Sequence, residues 1–272
     1  MGALRKYFYD ESFFNKIDTE EKSYWLGFFT ADGCLESNSN RIFIELSMKD
    51  SEHLAKLALI FNTPLTFRSS FLKKTNRYYN ACKLRITSKQ IREALILKGL
   101  NPRKSNNLDS SIFSHIPENL LNHFVRGFFD GDGYVGGKFD VSFSGTLIFL
   151  TKLKTILDKV IGRNSGWISE VDGCYVYGIS GKEKCVKLRD WLYNNSLVYL
   201  ERKRDIMKSF GELSKYRYIR KVGNKWLVSG KAENILVQKY LKTEQEAVAC
   251  ALENGLDIHR TKALRKVPIW MN

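Results

Sequence analysis

Two aspartates stand in matching settings 100 positions apart (132 − 32): Asp32 within Ser23-Tyr-Trp-Leu-Gly-Phe-Phe-Thr-Ala-Asp-Gly33 and Asp132 within His123-Phe-Val-Arg-Gly-Phe-Phe-Asp-Gly-Asp-Gly133. Carboxylates brought side by side repel. At roughly 5 Å and an effective dielectric of about 20 the penalty is about 3 kcal/mol, or about two pKa units. A divalent cation between them reverses the sign, and hard carboxylate oxygens suit Mg²⁺. The chemistry open to such a pair is metal-assisted hydrolysis.

The elements around the acids tell how they could meet. Each stretch reads as an apolar helix ending in its acid. Gly27 and Ala31 in one copy, Gly127 and Gly131 in the other, are four residues apart and share a face on which two backbones can approach closely. Packed through those faces, the copies would end with Asp32 and Asp132 at one depth. Gly33 and Gly133 are expected to cap the helices in the left-handed conformation.

The pair of stretches resembles the two motifs of single-chain LAGLIDADG homing endonucleases, over about residues 20 to 210. The resemblance implies that Asp32 and Asp132 bind the catalytic Mg²⁺, helped by the carbonyls of Ala31 and Gly131. It further implies that Lys104 and Lys203, each just after the last helix of a half, assist at the scissile phosphates. The first acid of the motif is Asp130 in the second copy and Thr30 in the first, a position that is not a metal ligand in the family. The polar residue that many relatives carry on the second strand falls at Met48 and Ser144, so the two half-sites are expected to cut at unequal rates.

Composition agrees with a polyanionic partner. The 272 residues carry 44 lysines and arginines against 29 acids, a net charge of +15. Such a surplus points to nucleic acid or an anionic membrane. No run of about 18 apolar residues exists to span a bilayer, and the N-terminus has no signal-peptide core, so an intracellular location is expected. Five widely spaced cysteines without a Cys-x-x-Cys pair indicate neither a zinc site nor a disulfide framework. His53, His115, His123 and His259 show no ligand spacing and read as structural.

Periodicity gives the rest of the core. Tyr7, Phe8, Tyr9, Phe13 and Phe14 form an aromatic strap. Strands are expected at 42–47, 64–70 and 78–87, with helices at 51–62 and 88–97. The order restarts after the connector 101–118, with a strand at 139–144, a helix at 147–161, a hairpin over 166–180 and a helix at 182–195. Ile86-Thr-Ser-Lys89 is echoed in Ile179-Ser-Gly-Lys182. The fold class is therefore α+β: a pseudo-two-fold pair of αββαββα units with antiparallel, saddle-shaped sheets and a central two-helix interface. The expected boundaries are 1–108 and 109–210 for the halves and 211–272 for an extension. A β-ribbon face suits the major groove of double-stranded DNA. Candidate contacts are Glu36, Asn38, Arg41, Lys73, Lys74, Arg77, Lys83 and Arg85 in the first half, with Lys138 and Ser142 in the second.

The extension reads as three strands and a helix, with a Gly223-Asn224 turn and a Thr243/Glu246 capping box. It resembles the small DNA-binding domain of the Apetala and ethylene-response type, which implies groove contacts by Arg217, Arg220, Lys225 and Trp226. The tail Arg260, Lys262, Arg265 and Lys266 would face phosphates. The leading expectation is a monomeric, Mg²⁺-dependent homing endonuclease. An intron-RNA maturase and a non-cleaving DNA-binding regulator on the same scaffold are the alternatives.

Overall fold

The computed structural model describes residues 9–72, 76–102, 107–136, 139–211, 216, 218–232 and 235–258. The chain divides into two compact units, Met1–Gly211 and Glu212–Asn272.

The first unit is built from two α+β halves. One runs α1 (Glu20–Asp32), β1 (Gly33–Leu35), β2 (Arg41–Ser47), α2 (Ser51–Ile60), β3 (Thr66–Leu72), β4 (Arg77–Thr87) and α3 (Lys89–Leu97). The other runs α4 (Leu121–Asp132), β5 (Gly133–Gly136), β6 (Asp140–Gly145), α5 (Leu147–Ile161), β7 (Trp167–Val171), β8 (Cys174–Ser180) and α6 (Lys182–Tyr193), and α7 (Glu201–Lys208) follows. Sheet orders β1-β2-β4-β3 and β5-β6-β8-β7 are the same circuit traced twice, antiparallel throughout.

Local signals explain the boundaries. The Thr19, Ser88 and Thr146 side chains accept from Lys22, Ile91 and Phe149 amides at the starts of α1, α3 and α5, satisfying donors that have no partner inside the helix. After α3, Gly99 takes φ +95° and donates to Ile96 O. Alternation in β2 and β4 buries Ile42, Ile44, Leu46, Leu84 and Ile86 against the helices, while Lys83 and Arg85 face outward. The aromatic strap closes the core with Phe13 and Phe14 buried and the Tyr9 hydroxyl donating to Thr87 O; Tyr7 and Phe8 lie outside the described residues.

At the centre, α1 and α4 cross backbone to backbone. A Cβ on Gly27 would stand 2.0 Å from Phe124 O, and one on Gly127 would stand 1.9 Å from Tyr24 O. Only glycine fits at either place.

The glycines that follow the acids behave differently from expectation. Gly33 and Gly133 are extended (φ −69°, ψ 144° and φ −78°, ψ 149°), not left-handed. The motif helix runs straight into a strand. Glycine is needed there because a Cβ would lie 2.5 Å from both the Phe29 ring and Phe29 O, and 2.1 Å from the Phe129 ring.

The second unit is a three-stranded sheet ordered β11-β10-β9, from β9 (Ile219–Val222), β10 (Lys225–Ala232) and β11 (Ile235–Leu241), with α8 (Glu244–Glu253) on one face. Its core holds Ile219, Val228, Val237, Ala247, Cys250, Ala251, Leu256 and Ile258. The Gly223-Asn224 turn and the Thr243/Glu246 capping box are both formed. No helix among the described residues is long and apolar enough to cross a membrane.

Candidate functional site

Asp32 and Asp132 end the paired helices, Asp32 half-buried and Asp132 exposed. A Cβ on Gly131 would meet Ala31 Cβ at 2.3 Å and Asp32 Oδ2 at 3.0 Å. The first carboxylate thus reaches across the pseudo-dyad onto the backbone that precedes the second.

Lys203 is 4% exposed, and its Nζ donates to Phe129 O (2.7 Å), Gly131 O (3.0 Å) and Gly133 O (2.5 Å). All three protons are spent on the carbonyl end of α4, where the helix dipole concentrates negative potential. Burial pushes this lysine down to about 8, while Asp130, Asp32 and Asp132 pull the other way. Helix α7, which carries Lys203, is docked on the core. Arg202 makes a bidentate pair with Asp50 (2.7 and 2.9 Å), and Glu201 pairs with Lys56 at 2.5 Å. Lys104 lies outside the described residues.

Asp130 is structural in placement. It is 1% exposed and accepts from Tyr24 Oη (2.8 Å), Tyr193 Oη (2.6 Å) and the Leu200 amide (2.7 Å). Burial raises its pKa, against the pull of these donors. His53 Nε2 lies 2.9 Å from Tyr24 Oη and donates to it, because the tyrosine proton is committed to Asp130. Burial lowers His53 to about 4, so it is neutral. Beside this chain, buried Arg126 binds Glu20 Oε1, Leu192 O and Val198 O. Thr30, the counterpart of Asp130, donates to Leu26 O instead.

Sheet register corrects one expected equivalence. Gly33 pairs with Ile44 and Gly133 with Phe143, so the residue matching Ser144 is Glu45, not Met48. Met48 follows β2 and starts the short 3-10 turn Met48–Asp50. Glu45 is bound by Lys83 (2.8 Å) and Arg68; burial pushes its carboxyl up, but these hydrogen bonds outweigh it and hold it below its usual value. Pairing strand residues across a repeat needs the register, which the sequence does not carry. Ser144 and Asp132 line one open pocket of about 480 Å³ with Thr30, Ala31 and Tyr175.

The outward face of the first sheet holds Arg41, Lys83 and Arg85, with Lys83 also 4.1 Å from the centre of the Phe43 ring. Glu36 binds Arg41 at 3.6 Å and Ser39, Asn38 is exposed in the adjoining turn, and Ser142 lies outward on the second sheet. Lys73, Lys74, Lys138 and Arg217 lie outside the described residues, as do the side chains of Arg77 and Arg220. In the second unit Lys225 is exposed. The Trp226 side chain is half-buried, packed against the unit's own core.

The donor set fits Mg²⁺. It offers two carboxylates and main-chain carbonyls, all hard oxygens, and the carbonyl end of α4 already holds a cation in Lys203. Among the described residues no group of three or more His, Cys, Asp or Glu is placed to hold a metal ion.

No family model and no curated protein matches the sequence. Solved structures do. The homing endonuclease I-WcaI bound to its DNA recognition sequence aligns at TM-score 0.53 and 11% identity, over 75% of this chain and 94% of that one. The LAGLIDADG meganuclease I-AabMI bound to uncleaved DNA aligns at 0.44 and 12%, over 68% and 87%. Full-length DUF199/WhiA from Thermatoga maritima aligns at 0.44 and 17%, over 75% and 67%. With two matching four-stranded antiparallel sheets about a glycine-faced helix pair, the chain has a LAGLIDADG-type fold.

Proposed function

We propose that the protein is a monomeric, site-specific DNA endonuclease of the homing type that makes Mg²⁺-dependent double-strand breaks. The observation that carries the reading is the helix pair itself, which ends in both motif acids and sets Asp32 Oδ2 3.0 Å from where Gly131 would carry a Cβ. Asp32, Asp132 and the adjoining carbonyls would hold the metal. When bound, it would supply charge stabilisation at the scissile phosphate and a water made more acidic. The chain's own residues do the rest. The outward face of the first sheet lies along the nucleic acid, with Arg41, Lys83 and Arg85 neutralising phosphates, and the glycine contacts fix the spacing of the two acids. Asp50 and Lys56 anchor α7, which keeps Lys203 at the second acid. The second unit adds a nucleic-acid contact through Lys225 and the face around it.

The test is incubation with Mg²⁺ and a DNA library carrying candidate target sites, read as linear double-strand breaks. No cleavage of any target by the intact chain, with binding retained, would sink the nuclease reading.

A second reading has its own support. Lys203 already neutralises the Gly131 carbonyl that a metal would use, as expected of a scaffold that binds DNA without cutting it. The same assay separates the two.

A further inference from the structure

The pseudo-symmetry allows the two sheets to be compared position by position, and their outward faces differ in kind. In the second sheet one row runs Tyr134, Ser142, Gly178, Trp167 across β5, β6, β8 and β7. The matching row of the first sheet runs Cys34, Phe43, Arg85. Where the first sheet presents Arg41, Arg68, Lys83 and Arg85, the outward face of the second carries no lysine or arginine among the described residues.

Two aromatic rings lie against glycines. The Trp167 indole covers Gly178, whose Cβ would meet it at 2.7 Å, yet Trp167 is 52% exposed. Tyr134 lies along its strand over Gly136, where a Cβ would come within 3.3 Å of the ring, and is 60% exposed. Each ring therefore touches a glycine and stays more than half exposed. Between them the floor is Ser142 and Gly178, and three strand spacings make the row about 14 Å wide. Packing on glycines accounts only for the covered part of these aromatics; more than half of each stays exposed. They do match the faces of nucleobases, which stack on aromatic side chains without regard to sequence.

We propose that this row is a stacking platform for unpaired nucleobases, so that the second half holds a strand by its bases while the first holds it by its phosphates. The proposal rests on the nucleic-acid reading above and adds the state of the strand it takes. The polyanion is drawn by the net charge of +15. What the second sheet adds is contact with π faces, which a fully paired duplex keeps covered.

The experiment uses the full chain and two labelled single strands of equal length, one oligothymidylate and one abasic, which carry the same phosphate charge. The expected result is that wild type prefers the strand with bases by about tenfold or more, a stacking-sized effect. Trp167→Ala and Tyr134→Ala should each reduce that preference while leaving the salt slope unchanged, and Trp167→Phe should keep most of it. Arg85→Ala should instead weaken both strands alike and lower the salt slope by about one. Equal binding of the two strands by wild type, or a preference that survives both alanine variants, overturns the platform and leaves nucleic-acid binding standing. Binding of neither strand nor of duplex overturns both.

Discussion

The Tyr24 carbonyl oxygen stands 1.9 Å from where Gly127 would carry a Cβ, and Phe124 O stands 2.0 Å from the same point on Gly27. The two contacts are reciprocal, and together they fix the separation at which the motif helices deliver their acids. Gly127→Ala cannot be absorbed by a side-chain rotation, because the obstacle is backbone. Its expected cost is about 3 kcal/mol, the upper part of the overpacking range, read by urea denaturation. A variant as stable as wild type would remove close packing as the determinant of this interface.

Asp32→Asn and Asp132→Asn keep size and shape and remove charge. Each should depress Mg²⁺-dependent cleavage by more than the roughly 10- to 100-fold typical of an outer-shell partner of a metal, with DNA affinity within a few-fold of wild type. Single-strand nicking by one variant, measured on supercoiled plasmid, would assign that acid to one strand. Full cleavage by either variant would rule out the paired-acid site.

Lys203→Met keeps the aliphatic stem and strips three carbonyls of their donor. The expected loss is about 1–3 kcal/mol, the cost of buried acceptors left unsatisfied. Mg²⁺ dependence distinguishes the two functional readings. If the ammonium stands in for the metal, the methionine variant should bind Mg²⁺ more tightly by calorimetry; if it assists the metal, cleavage should fall with Mg²⁺ affinity unchanged.

His53 makes stability depend on pH. Its folded pKa, about 4, lies below the ordinary 6.5 because burial disfavours the charged ring. The unfolded chain therefore binds the extra proton first, and stability present above pH 6.5 is lost as pH falls towards 4, by up to about 3 kcal/mol. Asp130 works in the opposite sense, since its raised folded pKa favours the acid side of its own titration. His53→Gln should abolish most of the acid-side loss in urea titrations between pH 7 and 4. An unchanged profile would show that the ring is not the titrating group.

The helix pair and its two acids were legible because the repeat is ungapped and the small residues sit on one helical period. The hairpins, the helix caps at Ser88 and Thr243 and the alternation of Lys83 and Arg85 were legible for the same reason: each is a local rule. What escaped the sequence is what depends on register or on docking. Glu45 takes the place expected for Met48 because β2 ends before that residue. Lys203 disappears into the core because α7 is pinned by Asp50 and Lys56, more than 140 positions upstream. Asp130 and Tyr193 meet only when α4 and α6 pack.

The reciprocal glycine contact has the geometry of an isologous interface made within one polypeptide. A single half would make it with its own copy and be bound to an exact internal duplicate. Covalent fusion lifts that constraint, so mutations accumulate on one side without being mirrored on the other. The charged row at Arg85 and the aromatic row at Trp167 are such a divergence: two corresponding places on one scaffold now offer different chemistry.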